Sequence, residues 1–354
     1  MTAPKLSEEI IKESIDLFVK YGNVTEAAEA GKMPRTTLDA RLKIAMAAGY
    51  NIPGFRGQKL ESNGELVMPQ FVAQEDMSAE EILNHMGRRF QKDWKRQQEL
   101  NWFKVAVTQS GPLALVWFGD PHLGNNGCNV PLLRRDVELV AKTPHTFGAN
   151  LGDTVDNWGG TLTRLYAEND VSRQTERTLA RWFLQESGIR WAVWLEGNHC
   201  TMSEAFSVYL RSINCSEVPM MNWRAKFSLE FPNGKSVRID AAHDHKGHSI
   251  WNDLHGQERA AFMDEPADLY IAGHRHSWGV KYKELGDGRV VTLARARGYK
   301  WIDDFAIRHG YAQQQCGASV VTVVNPDSKS PSGLITAFAD VEEGLGYLGW
   351  LRGQ

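Results

Sequence analysis

Five short apolar runs, each broken off by a cluster of Asp, Asn, His and Gly, constrain this chain more than any other feature. LALVWFG (113–119) runs into GDPH, HTFGANLG (145–152) into GDTVDN, and RWAVWLEG (190–197) into GNHC. SVRIDAA (236–242) runs into HDHKGH, and DLYIAG (268–273) into GHRH. Such runs, rich in β-branched and aromatic residues, read as buried strands. Loops that leave strands present polar groups to ligands, and in a sheet the strand ends gather along one edge. Asp120 and His122, two apart in an extended segment, leave the same side of the chain. Alone, that pair can hold a metal, form a hydrogen-bonded pair or do neither. In register with four further clusters it points to one polar site. Glycine directly before the first polar residue of several clusters removes bulk where backbone and ligand approach closely.

Between these strands, 131–142, 161–187, 203–213 and 249–264 read as helices, so the chain from residue 101 is an α/β domain. Beyond 277 it turns β-rich, with a Gly-Asp-Gly turn in KYKELGDGRVVTLA and a hairpin in ASVVTVVNPDSKSPSGLITAFAD. A length of 354 residues accommodates this domain and a smaller one. The smaller one is N-terminal. In residues 7–49, Ile10, Ile11, Ile15, Leu17 and Phe18 fall at near-helical spacing and Gly22 stops the helix. Asn23 or Thr25 caps a short second helix that ends at Gly31. A third follows Pro34, with Leu38, Leu42 and Ala45 as its inner face. That order is the organisation of a helix-turn-helix. Residues 50–76 read as a Gly- and Pro-containing linker, followed by a helix with Ser78 at its cap and Glu81 at the capping-box position. The expected division is therefore 1–50, a helix-turn-helix unit; 51–100, linker and basic helix; and 101–354, the α/β domain.

A net charge of −3 gives no global drive toward nucleic acid or an anionic membrane, so any nucleic-acid surface has to be local. Segment 1–50 itself balances seven basic against seven acidic residues, but Arg35, Arg41 and Lys43 cluster on the third helix as candidate DNA contacts. The basic RRFQKDWKR stretch reads first as a solvated helix face. Four widely spaced cysteines exclude a zinc ribbon or disulfide framework and suit a reducing compartment. With no apolar leader and no run long enough to span a bilayer, the expected location is the cytoplasm.

The series D-x-H, G-D-x-x-D, G-N-H, a later His, and G-H-x-H over residues 113–277 resembles the calcineurin-like metallophosphoesterase superfamily. The resemblance implies two mixed sheets sandwiched together and flanked by helices, with two divalent metals at the strand ends. Carried over by position, Asp120, His122 and His276 hold one metal and Asn198, His243 and His274 the other, Asp153 bridges them, and His199 faces the substrate phosphate. His243, His245 and His248 compete for the fourth motif, His243 being closest to its strand. In the family an acidic residue usually follows G-N-H. Here Cys200 stands there, so His199 is expected to be less basic or held by another acid such as Asp156.

Carboxylates and imidazoles without thiolates suit Mn²⁺ first, with Fe, Zn²⁺ or Mg²⁺ as alternatives. A bridged pair of ions about 3.5–4 Å apart acidifies bound water and clamps the oxygens of an in-line displacement at phosphorus. The expected reaction is phosphodiester hydrolysis in nucleic acid, DNA favoured, in a phage or mobile-element setting. The rival readings are a phosphomonoesterase on nucleotides or phosphoproteins, and a DNA-binding regulator with an inert phosphoesterase domain. His85, His145 and His309 read as structural. Trp158, Trp251 and Trp278 lie near the motifs, where packing is preferred over base stacking.

Overall fold

The computed structural model describes residues 6–55, 78–169, 171–301 and 316–353. The chain separates into two compact units, Met1–Glu81 and Ile82–Gln354. The linker reading over 56–76 and the His309 reading lie outside the described residues.

The first unit contains α1 (Glu8–Tyr21), α2 (Val24–Ala30) and α3 (Arg35–Ala47). Each boundary has a local cause. Ser7 Oγ accepts the amide of Ile10, and Gly22 closes α1 in the left-handed region at φ 63°. Asn23 Oδ1 then accepts the amide of Thr25 to open α2. Ile11 and Phe18 of α1, Ala27 and Ala28 of α2, and Leu38, Leu42 and Ala45 of α3 form one core. Farther along, α4 (Ala79–Leu100) begins at the capping box, with Ser78 Oγ accepting from the Glu81 amide and Glu81 accepting from the Ser78 amide.

In the second unit two mixed six-stranded sheets pack face to face. One has the order β1 (Asn101–Ala106), β6 (Arg224–Glu230), β7 (Ser236–Ala242), β8 (Leu269–Ala272), β10 (Val290–Arg295), β9 (Gly279–Glu284). The other runs β12 (Ile335–Phe338), β11 (Ser319–Val324), β2 (Leu113–Phe118), β3 (Thr146–Asn150), β4 (Trp191–Glu196), β5 (Met220–Asn222). Strand alternation builds three layers of core. Leu113, Leu115 and Trp117 of β2 meet Phe227, Ile239 and Ile271 of the facing sheet. On the opposite side, Ala114, Val116 and Phe118 pack under α5 (Val130–Lys142) and α10 (Val341–Arg352). Tyr270 and Leu293 face α9 (His255–Met263) on the outside of the other sheet.

The two mixed sheets are those the resemblance implies: β2, β3 and β4 lie in one, β7 and β8 in the other, so the clusters converge from both. One expectation changes. The segment 161–187 is not one helix. It is a 3-10 helix (Gly160–Glu168), α6 (Arg173–Arg181) and a π turn (Trp182–Glu186), because Ser172 caps a fresh start by accepting from the Thr175 amide. Among the described residues no helix is long and apolar enough to cross a membrane.

Candidate metal centre

β2 ends at Asp120 and His122, β3 at Asp153 and Asp156, and β4 at α7 (Asn198–Thr201) with Asn198 and His199. β7 delivers His243, and β8 delivers His274 and His276. The ligand atoms of Asp120, His122 and His276 lie within 4.8 Å of one another, as do those of Asp153, His243 and His274. Asn198 joins the second group with Oδ1 2.9 Å from His243 Nε2. These seven side chains can hold divalent ions.

The second group is crowded with acceptors. His243 Nδ1 bonds to the Leu151 carbonyl at 2.8 Å, so in the neutral ring the proton sits there and Nε2 presents a lone pair. That lone pair faces Asn198 Oδ1, Asp153 Oδ2 at 3.2 Å and His274 Nδ1 at 3.0 Å. Atoms of this kind at such spacing need a proton or a cation among them. In the first group, Asp120 Oδ1 and His122 Nε2 are buried with no hydrogen-bond partner among the described residues. Buried polar atoms are normally satisfied, and a cation satisfies both. His122 is held as metal-ligating histidines usually are, its Nδ1 bonded to Asp156 Oδ1 at 2.7 Å.

Backbone strain concentrates here. Asp120, His122, Asp153, His274 and His276 all adopt positive φ, between 37° and 68°, which non-glycine residues rarely do. Such conformations persist only where the surroundings over-determine them. Asp120 Oδ2 accepts the His274 amide at 2.7 Å, and Asp153 Oδ1 accepts the His199 amide at 2.8 Å, tying one strand end to another. A methyl group on Gly197 would strike Asp153 Oδ1 and the His243 ring, and one on Gly273 would strike Asp120 Oδ2. At Gly197 and Gly273 the ligand side chains occupy the space a Cβ would fill.

Buried carboxylates set the protonation of the rings around them. Burial opposes ionisation of Asp153 and Asp156, but hydrogen bonds and charge from His243 and His122 respectively outweigh it, holding both carboxyls below the ordinary range. For Asp120 burial wins, against the pull of His243, and its carboxyl is raised. Burial would lower His243 and His122, yet Asp153 and Asp156 raise both. His199 and His276 are lowered by burial and then by His122, and His274 by burial and then by His243. Buried carboxylates that favour positive charge on two neighbouring imidazoles also suit a divalent cation.

His199 is held by Asp156, but through the backbone carbonyl, which takes its Nδ1 at 2.7 Å; the Asp156 carboxylate serves His122, Asn125 and Asn169 instead. Trp158 packs edge-on against His199 at 4.8 Å, and Nε2 is 4.0 Å from Asp153 Oδ2. Cys200 is fully buried, and burial pushes its thiol up to about 12, so it stays neutral. His245 is buried beside Asp240, in a network with Arg224, and His248 is exposed. Neither joins the groups around Asp153. His145 bonds to Gln109, and His85 is exposed on α4.

Sequence reasoning missed Asp156 as the carboxylate behind His122, although it is the second Asp of the G-D-x-x-D run. Trp223 was also missed; it packs edge-on to His243 at 5.0 Å. Trp278 packs against Gly317, whereas Trp251 is 90% exposed. On α3, Arg35 and Lys43 are exposed, but Lys43 pairs with Asp39 at 2.7 Å. Arg41 is half-buried with Nη1 3.8 Å from Met33 Sδ.

No family model and no curated protein matches this sequence. Among solved structures the chain is similar to GAP50, the anchor in the inner membrane complex of Plasmodium. That likeness has 10% identity and a TM-score of 0.32, covering 68% of this chain and 95% of the other, too remote to bear on chemistry.

Proposed function

We propose that this protein is a binuclear metal-dependent phosphoesterase of the calcineurin-like superfamily that hydrolyses phosphodiesters in nucleic acid, DNA ahead of RNA. The observation that carries the reading is the pair of ligand groups on either side of Asp153, whose charge acts on Asp120 and His122 as well as on His243 and His274. Asp120, His122 and His276 would hold one ion and Asn198, His243 and His274 the other, with Asp153 common to both and Mn²⁺ the first candidate. Such ions, when bound, supply charge to offset the phosphoryl oxygens and acidity for an attacking water. The chain's own residues do the rest. Leu151 fixes the His243 tautomer, Asp156 fixes that of His122, and the Asp156 carbonyl directs His199 so that Nε2 faces the basin. With Nδ1–H given to that carbonyl, the imidazolium form of His199 would donate from Nε2 to a phosphoryl oxygen or to the leaving group.

Support for a nucleic-acid substrate comes from Ile250 and Trp251, both strongly exposed on the segment that leaves His243. An exposed indole on that segment suits stacking on a base, which is worth about 1–3 kcal/mol per base. The test is parallel hydrolysis of single- and double-stranded DNA, a phosphodiester reporter and a phosphomonoester reporter with a metal panel. The expected result is Mn²⁺-stimulated cleavage of DNA and of the diester, with Trp251→Ala weakening DNA cleavage and sparing the reporter. Activity confined to the monoester would overturn the substrate assignment.

A further inference from the structure

The chain crosses from one sheet to the other between β5 and β6, and the crossing residue is Trp223. It adopts φ 68°, a left-handed backbone that bulky side chains rarely take. The backbone is pinned on both sides. Its amide donates to the Glu196 carbonyl at 3.0 Å, and its carbonyl accepts the His243 amide at 2.6 Å. The ring is pinned as well: indole Nε1–H donates to the Asp244 carbonyl at 3.0 Å. Its centroid lies 5.0 Å from that of His243 and 6.0 Å from that of His274. The one polar atom of the side chain is thus engaged within the protein, yet the residue stays 39% exposed. An indole held rigid beside ligand histidines and open to solvent can serve as a stacking platform.

Asp244 anchors a second group at the same margin. Its carboxylate takes Arg275 Nη2 at 2.7 Å and buried Arg295 Nη2 at 3.1 Å, so two guanidinium groups share one negative charge. Arg275 is the exposed one, and in sequence it stands between His274 and His276. A guanidinium so placed suits a phosphate oxygen. We infer that Trp223 and Arg275 form a nucleotide subsite, in which a base next to the scissile phosphodiester stacks on the indole and a flanking phosphate meets Arg275. The inference rests on the phosphodiesterase reading and adds to it the groups that hold the substrate.

The test uses the full chain reconstituted with Mn²⁺, on single-stranded oligothymidylate and on the same backbone carrying abasic sugars throughout. The unmodified protein should show a KM for oligothymidylate lower by about tenfold or more, the size of one base stacked on an aromatic ring. Trp223→Leu should shrink that ratio about tenfold, and Trp223→Phe, with a smaller ring, should fall between. Anisotropy of a labelled, cleavage-resistant phosphorothioate oligothymidylate gives a readout besides turnover. There Arg275→Gln should flatten the slope of log affinity against log salt by about 0.7, one phosphate contact on a single strand. Hydrolysis without base discrimination, or an unchanged salt slope, would overturn the subsite alone. So would a Trp223→Leu variant that loses kcat equally on both backbones and keeps the KM ratio, which would make the ring a support for His243. Hydrolysis of neither backbone by the unmodified protein would overturn the phosphodiesterase reading, and the subsite with it.

Discussion

The N-terminal helices and the strand-end basin obey opposite rules. In α1 and α2 the local preferences are met. Ser7 and Asn23 cap, Gly22 takes the left-handed turn, and the apolar stripe faces inward. In the basin, Asp120, His122, Asp153, His274 and His276 sit in a backbone region that disfavours them, and carboxylates are buried beside one another. Local consistency specifies a fold, whereas local violation has to be maintained by something else, and here that is the mutual bracing of ligand-bearing loops. The difference teaches where chemistry resides in this molecule. It also predicts that the two regions will respond differently to small substitutions.

The largest contrast should come from Gly197→Ala. One methyl group there collides with Asp153 and His243, displacing the shared carboxylate. Misplacement of about 1 Å at a reacting centre costs about 10²-fold, so phosphodiester turnover should fall by that order while the helical unit melts unchanged. Full turnover in this variant would show that the basin is looser than its packing implies.

Asp156→Asn comes next. It keeps the shape but removes the carboxylate behind His122 Nδ1, and loss of such a partner typically weakens metal affinity about 10–100-fold. Titration of Mn²⁺ by calorimetry would measure it. Unchanged affinity would remove His122 from the ligand set.

How far each region could be read beforehand follows the same division. The caps and inner face of the helical unit were legible because they depend on neighbours three or four residues apart. Strand ends β2, β3, β4, β7 and β8 were legible as apolar runs closed by polar clusters. The allocation of those strands to two sheets was not, because pairing partners such as β2 and β11 lie some two hundred residues apart in sequence. The hairpin of β6 with β7 was available from Ala225, Phe227 and Leu229 alternating inward before the Asn233-Gly234 turn. β5, three residues long, carries no pattern of its own. That the Asp156 carboxylate serves His122 while its carbonyl serves His199 depends on approaches across 34 and 43 residues, which no local pattern encodes.

The smallest effect belongs to the helical unit. Asn23→Ala removes the oxygen that caps α2 and should cost about 1 kcal/mol, read as a lower melting midpoint of that unit in far-ultraviolet circular dichroism. Turnover of a small phosphodiester should not change. A parallel loss of turnover would mean that the two regions are energetically coupled and the contrast between them is overdrawn.

The most direct measurement is the divalent-ion content of the Mn²⁺-reconstituted protein, by elemental analysis, beside that of Asp153→Asn. Asp153 is assigned to both ligand groups, so the unmodified chain should hold two ions and the variant should lose both or nearly both. A variant that keeps its full complement, or an unmodified chain that takes up none, would contradict a binuclear centre built around Asp153.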